Sequence, residues 1–185
     1  MHARHGVGAC AGFTLLEVLV ALFVVALGVA GAAGVQAMAV RAAGEAARLS
    51  DGMQLAASLA QRMRANPVVM ALPDAANPYL QIDLEAAAAT AAPEPVSPCF
   101  GAANCSAEQL ARFDVAETGA ALASRFPGGR MRVCRDGQAP DAAGLLAWSC
   151  TGGAEAPVTI KLGWRGRPGE PDAPSVFLTL GAGTP

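Results

Sequence analysis

The sequence predicts an α+β protein in which one long N-terminal helix packs on a small antiparallel sheet of three to four strands. An apolar run of membrane length begins near the N-terminus and passes into an amphipathic helical pattern that no proline interrupts before Pro67. Beyond Pro127 the hydrophobic period changes to two, which is typical of half-buried strands. A chain of 185 residues with these features is expected to form one domain with an appendage.

Composition excludes several classes of function. A net charge of -2, from 13 Lys and Arg against 15 Asp and Glu, provides no basic face for nucleic acid. Both histidines, His2 and His5, lie in the first five residues, so a chain that loses its N-terminus has no imidazole. Signatures of nucleophilic, phosphate-binding and metal sites do not appear in the sequence. We therefore expect no catalytic residue, no cofactor and no metal site.

The apolar run extends over residues 18–40 without a charged side chain. About 20 such residues span a bilayer as a helix, and an ordinary secretory signal has a shorter apolar core with its cleavage site after it. Residues 13–40 are therefore predicted to form a transmembrane helix. Glycines at every third position along one side would permit close helix packing, although a plain anchor would tolerate them equally: Gly28, Gly31 and Gly34.

The junction before this run is distinctive. It reads Gly12-Phe13-Thr14-Leu15-Leu16-Glu17, and it resembles the leader junction of type IV prepilins and type II secretion pseudopilins. The resemblance implies that a membrane prepilin peptidase and N-methyltransferase removes residues 1–12 on the cytoplasmic side, after Gly12. Phe13 would then be the N-methylated first residue, and the apolar helix would remain in the mature protein.

Glu17 places a carboxylate near the start of the apolar helix. A charge at that position in lipid costs a few kcal/mol, so it requires a partner. The resemblance implies an assembly salt bridge to the amine that cleavage creates at Phe13, contributed by a neighbouring subunit. The alternative is that Glu17 lies at the headgroup boundary and reaches water.

Residues 41–66 continue the helix with one apolar stripe. Helix from Phe13 to about Arg64 would be roughly 75–80 Å long, at about 1.5 Å per residue, and the Asn66-Pro67 pair predicts its end. We expect the globular head to bury the stripe, which consists of Ala42, Ala46, Leu49, Met53, Ala56, Ala60 and Met63.

The end of this helix, Leu59-Ala-Gln-Arg62-Met-Arg64-Ala-Asn66-Pro67, resembles the corresponding segment of PilV-type minor pilins, also called type IV pilus modification proteins. Further blocks of the chain resemble the same family, at residues 105–111, 113–117, 126–129 and 158–165, although Thr118 stands where a Trp is frequent. The resemblance implies a pilin-like fold and a structural role in pilus assembly or initiation. A pseudopilin of a type II secretion system remains the alternative, which gene context would decide.

The predicted head comprises residues 67–185 and begins with turns and a surface loop, with one extended piece at 79–84. Ser106 and Gln109 fit a capping box that starts a helix from about Ala107 to Arg125. Asp114 and Glu117 lie one turn apart on it, a spacing interpreted as a solvated helix face rather than an acid/base pair. The side chains expected to be buried are Leu110, Phe113, Leu122 and Phe126.

Alternation after Pro127 indicates half-buried strands joined in order, so an antiparallel meander is the expected topology. A further strand is predicted at residues 145–150. The inward side chains would be Met131 and Val133, then Val158, Ile160, Leu162 and Trp164, then Val176, Leu178 and Leu180.

Five cysteines are present, and Cys10 belongs to the leader. The other four allow three disulfide pairings, of which we favour the local one, Cys99 with Cys105 and Cys134 with Cys150, the second tying two neighbouring strands. Zinc is the competing interpretation, but the spacings lack a Cys-x2-Cys knuckle.

The leader and the cysteines together predict a single-pass protein of the inner membrane with a cytoplasmic N-terminus and a periplasmic head. The implied partners are other minor and major pilins, the prepilin peptidase, an inner-membrane assembly platform and inner-membrane lipid. We expect the protein to be incorporated into the pilus.

Overall fold

The computed structural model describes residues 12, 14–86, 98–101, 103–142, 144–165 and 172–181. The chain divides into two compact units, Met1–Ala46 and Ala47–Pro185. Helix α1, Leu15–Ala65, supplies residues to both. The predicted α+β, pilin-like class is confirmed, because this long helix is followed by a four-stranded antiparallel sheet.

The first unit consists, in its described part, of the apolar portion of α1 and the residues just before it. Every described side chain from Leu15 to Ala46 is exposed, including the Leu, Val and Phe side chains. This is the one helix in the described chain that is long and apolar enough to cross a membrane. So large an apolar surface needs lipid or protein to cover it.

The second unit contains a core built around the C-terminal part of α1. The residues of α1 that it buries are Gly52, Leu55, Ala56, Leu59, Ala60 and Met63. Gly52 has a packing reason, because a Cβ there would lie 3.0 Å from the Trp164 ring and 3.2 Å from Leu162. The helix can therefore lie close to the sheet at that point.

The predicted apolar stripe of α1 is right only in its C-terminal half, where Ala56, Ala60 and Met63 are buried. Leu55 and Leu59 were not predicted and are buried as well, because the helix turns the face of Gly52 toward the sheet. Successive residues lie about 100° apart around a helix, so the face that contains Gly52 includes Leu55 and Leu59 and overlaps the predicted stripe only in part. The other stripe residues are exposed: Ala42, Ala46, Leu49 and Met53.

The sheet has the order β1-β2-β3-β4, and each neighbouring pair is antiparallel. Its strands are β1 (Asp83–Glu85), β2 (Arg130–Arg135), β3 (Val158–Gly163) and β4 (Val176–Leu180). The predicted antiparallel order is confirmed. The prediction of a strand at residues 145–150 is wrong, and the fourth strand is β1, which precedes the second long helix.

β3, one of the two inner strands, is buried on both faces, whereas the alternation predicted half-buried strands. One face meets α1, and residues 145–151, here called the cover segment, lie against the other. A Cβ on Gly163 would come within 2.8 Å of the Trp148 ring, so this glycine admits the indole. The sequence missed this layer because the cover segment has no regular secondary structure of its own.

Short helices connect α1 to the sheet. Asn66 caps α2 (Pro67–Met70), with its side chain accepting from the Val69 N–H. Tyr79 lies in a 3-10 helix, Pro78–Gln81, so the predicted extended piece at 79–84 is reduced to β1. Asn favours the N-cap position and Pro favours the first position of a helix, and the pairs Asn66-Pro67 and Asn77-Pro78 occupy these positions in the two short helices.

Helix α3, Ala107–Arg125, has the predicted bounds and the predicted capping box. Ser106 Oγ accepts from the Gln109 N–H at 3.2 Å, and Gln109 Oε1 accepts from the Ser106 N–H at 2.8 Å. Leu122 and Phe126 are buried as expected. Leu110 is 37% exposed and Phe113 half-buried, because the inward face carries Ala111, Asp114 and Thr118 instead.

Two disulfides join near neighbours in sequence, with S–S distances of 2.05 Å for Cys99–Cys105 and 1.94 Å for Cys134–Cys150. The sequence predicted that the second disulfide ties two neighbouring strands, and this part of the prediction is wrong. Cys134 belongs to β2, and Cys150 belongs to the cover segment. This bond therefore fastens the cover segment to the sheet.

Candidate assembly site

Gly12 and Thr14 are the described residues that precede α1. Gly12 is exposed, and a Cβ built on it would meet no described atom within 4 Å. The packing of the described chain therefore gives no reason for glycine at this position. Phe13 and Cys10 lie outside the described residues.

Thr14 begins α1. Its carbonyl oxygen accepts from the Glu17 N–H at 3.1 Å, and its hydroxyl oxygen lies 3.3 Å from the same nitrogen. The spacing Thr14-x-x-Glu17 is that of a capping box, a signal that the prediction from sequence did not use. Glu17 therefore lies in the first helical turn, where a carboxylate also interacts favourably with the helix dipole.

The Glu17 side chain is exposed on α1. So are Gly28, Gly31 and Gly34, and a Cβ added to any of these glycines would meet no described atom within 4 Å. No contact within the described part of the chain requires the three glycines. They leave one side of the apolar helix free of side chains, which suits close approach of another helix.

In the second unit Arg62 joins α1 to α3. Its Nη1 donates to Asp114 Oδ1 at 2.8 Å and to Glu117 Oε2 at 2.6 Å. The hydrogen bond to Glu117, aided by that to Asp114, raises the pKa of Arg62 against the lowering effect of burial. The first arginine of the Leu-Ala-x-Arg-Met-Arg-Ala-Asn segment, Arg62, thus makes contacts within the second unit.

Asp114 is buried, so its interpretation as part of a solvated helix face is wrong. Tyr79 Oη donates to Asp114 Oδ2 at 2.7 Å, and Arg62 donates to the other oxygen. Burial, and then the hydrogen bond to Asp114, raises the pKa of Tyr79. Both carboxylate oxygens are used in this network, and Glu117 is the more exposed partner.

Asn66 makes a second connection between the same helices. Its Nδ2 donates to the Ala107 carbonyl at 2.7 Å, while its Oδ1 caps α2. The residue is buried. Arg62 lies in the last turn of α1, and Asn66 directly follows that helix. They contact α3 at Asp114 and at Ala107, about two helical turns apart, so together they orient α3 against α1.

Beneath the cover segment is a fully buried ion pair, Lys161 with Asp136, which the sequence did not reveal. Lys161 Nζ also donates to the carbonyls of Ala147 at 2.7 Å and Ser149 at 2.6 Å. Burial alone would raise the pKa of Asp136, but hydrogen bonds from Lys161, the Gln138 N–H and Thr151 lower it.

Among the described residues no group of three or more His, Cys, Asp or Glu side chains could hold a metal ion. The four head cysteines are bonded in pairs. Asp114 and Glu117 are bonded to Arg62. The described geometry therefore consists of packing and ion-pair contacts, with an apolar helix left uncovered.

Two family models match the chain. The model of the prokaryotic N-terminal methylation motif matches residues 8–33. The model described as type IV pilin Tt1218 matches residues 34–116. These matches support a type IV pilin. Neither the curated proteins nor the solved structures include a match to this chain.

For a type IV pilin, the uncovered surface of α1 is consistent with membrane anchoring and incorporation into a pilus. The methylation motif implies processing by a prepilin peptidase and assembly with other pilins. Pilins of this family are structural proteins. The Tt1218 match extends through the Arg62, Asn66 and Asp114 contacts, so the head connections described above lie inside the matched region.

Proposed function

We propose that this chain is a minor pilin of the PilV type, processed and N-methylated by prepilin peptidase, that acts structurally in the assembly or initiation of a type IV pilus. It would do so in a priming or tip complex. The observation that carries the proposal is the exposed apolar length of α1 directly after the Gly12-Phe13 junction. Such a surface is stable in lipid or against other apolar helices.

In this proposal residues 1–12 are removed, 13–40 cross the inner membrane and later enter the filament, 41–66 continue the helix and 67–185 form a periplasmic head. Cleavage after Gly12 exposes an amine at Phe13, which is methylated. A Cβ at Gly12 would meet no described atom within 4 Å, which supports a role for this glycine in recognition by the peptidase rather than in packing.

Glu17 is proposed to pair with the Phe13 amine of a neighbouring subunit during assembly. Its position in the first turn of α1 supports this role, because the carboxylate lies within about one turn of the helix start. Methylation leaves that amine able to carry a proton. In a membrane, pairing would offset the cost of an isolated carboxylate.

The PilV-type specificity rests on the sequence blocks at residues 59–67, 105–111 and 158–165. A pseudopilin of a type II secretion system has the same N-terminal chemistry, so the leader junction does not separate the two machines. The inner-membrane assembly platform and the other pilins would be the partners in either case.

The experiment is mass spectrometry of pili sheared from cells that carry this gene. We expect the protein in the sheared fraction, beginning at methylated Phe13 and present in fewer copies than the major pilin. Its absence from pili, together with a loss of type II secretion when the gene is deleted, would instead identify a pseudopilin.

A further inference from the structure

The two outer edges of the head's sheet differ in their chemistry. β1 is three residues long and carries Asp83 and Glu85, both within ion-pair distance of Arg130. Short length and charged side chains are the means by which natural proteins protect a sheet edge from pairing with other chains. β1 is therefore a protected edge.

β4 has none of these features. It is five residues long and reads Val-Phe-Leu-Thr-Leu, without a charge or a proline. Phe177 on it is 51% exposed and Thr179 is also exposed, whereas Leu178 packs partly against the core. An uncharged strand of high β propensity at an open edge favours pairing with another strand.

Hydrogen bonding defines what can cover this edge. Within the described part of the chain, β4 pairs with β3 alone. Alternate residues of an edge strand direct their N–H and C=O groups away from the sheet, at a spacing that an extended strand matches and a helix does not. The occupant is therefore a strand.

We propose that β4 is a docking edge that accepts an extended strand from the head of a different pilin, which continues the sheet by β-strand addition. The proposal rests on the proposed function, because assembly with other pilins brings such heads together. Phe177 would supply an aromatic cross-strand contact beside the new strand.

A second copy of this chain fits less well. If two β4 strands paired antiparallel, a two-fold axis perpendicular to the sheet would relate the two heads, so one head would be rotated by 180° relative to the other. The stretch of α1 that packs on the sheet, from Gly52 to Met63, would then run in opposite directions in the two heads. Subunits that enter a filament from one membrane run in the same direction, so a different pilin with a complementary edge is the partner.

The test uses the full chain in piliated cells with the photoreactive residue p-benzoylphenylalanine placed at position 177. The matched control places it at position 100, because Phe100 is also an exposed aromatic residue, at 68%, but belongs to the disulfide-bonded loop before α3. Cross-linked peptides are identified by mass spectrometry in sheared pili and in the membrane fraction.

We expect position 177 to cross-link to a strand peptide of another pilin, and position 100 to give about tenfold less of that product. Thr179→Lys, which adds charge to the edge, should lower the yield at position 177 by about tenfold, which corresponds to ~1.4 kcal/mol. Ser124→Lys on the exposed face of α3 is the control and should leave the yield unchanged.

A cross-link from position 177 to a helix, to a second copy of this chain or to a protein other than a pilin would overturn the docking edge. So would the lack of a cross-link when the protein is found in pili. Absence from sheared pili would refute the proposed function, and the membrane fraction would then decide the docking edge separately by the presence or absence of the pilin cross-link.

Discussion

Arg62 on α1 and Asp114 on α3 form an ion pair of 2.8 Å across the interface between the two helices. The carboxylate is almost fully buried, and the guanidinium remains partly exposed. A buried carboxylate without its partner costs far more than an exposed one. This pair and the Asn66–Ala107 hydrogen bond are therefore polar contacts that orient α3 against α1.

The first prediction compares the two acceptors of Arg62. Asp114→Asn removes the buried charge and weakens the bonds from Arg62 and Tyr79, so we expect the free energy of unfolding to fall by about 1.5–3 kcal/mol. Glu117→Gln changes an exposed carboxylate and should cost less than about 1 kcal/mol. Denaturant unfolding of both variants in detergent measures the difference, and equal losses would contradict the ranking.

The second prediction concerns Asp136 and Lys161. Asp136→Asn leaves the buried ammonium without its carboxylate, so we expect a loss of about 3–5 kcal/mol near pH 7. The double variant Asp136→Asn with Lys161→Met removes both charges and should recover part of that loss. If the double variant is as unstable as the sum of the single changes, the two side chains are not coupled.

Asp136 also predicts a pH dependence. Its pKa is lowered in the folded protein, so its stabilising contribution is present above the unfolded value of about 3.9 and is lost as the pH falls through the lower folded pKa. Stability measured below about pH 4 should therefore fall more steeply in the parent than in Asp136→Asn.

The third prediction concerns the disulfides. Peptide mapping without reduction should find Cys99 joined to Cys105 and Cys134 joined to Cys150. Free thiols on all four, or stoichiometric zinc, would contradict both the pairing and the periplasmic placement. Replacing the second pair by serine should cost about 3 kcal/mol, more than replacing the first, because it closes the longer loop and fastens the cover segment above Lys161.

The local signals in the sequence were sufficient where one short segment determines its own structure. Ser106 and Gln109 fixed the start of α3, and the Asn66-Pro67 pair agrees with the end of α1 at Ala65. Alternation located β2, β3 and β4, because each strand exposes its pattern within a few residues.

Contacts between segments that are distant in sequence could not be predicted from such local signals. Lys161 alternates with Ile160 and Leu162 and so looks solvent-facing, and only the cover segment makes it buried. The spacing of Asp114 and Glu117 likewise gave no indication of Arg62, which lies 52 residues away from Asp114. For the junction at Gly12 the motif carried the prediction, since the fold of the described chain puts no constraint on that glycine.

The fourth prediction tests leader cleavage. Gly12→Val adds a branched side chain where the described structure has open space, so the fold should tolerate it. The peptidase should not, because the proposed recognition requires a residue without a Cβ. Immunoblots should show an unprocessed precursor in the membrane and no protein in sheared pili. Normal maturation and assembly of the variant would refute the assignment of the junction.

The last prediction separates assembly from anchoring at Glu17. Glu17→Gln removes the charge but keeps the size of the side chain. A capping box accepts either Glu or Gln at this position, so the Thr14 cap and the start of α1 should remain. Membrane insertion should survive or improve, since burying an amide costs less than burying a carboxylate. Cleavage after Gly12 should continue, whereas the amount of the protein in sheared pili, relative to its membrane pool, should fall together with the number of pili. Thr14→Ala weakens the cap by about 1 kcal/mol without changing the charge and should assemble normally. Unchanged pilus number and incorporation for Glu17→Gln would mean that this carboxylate only reaches water at the membrane boundary.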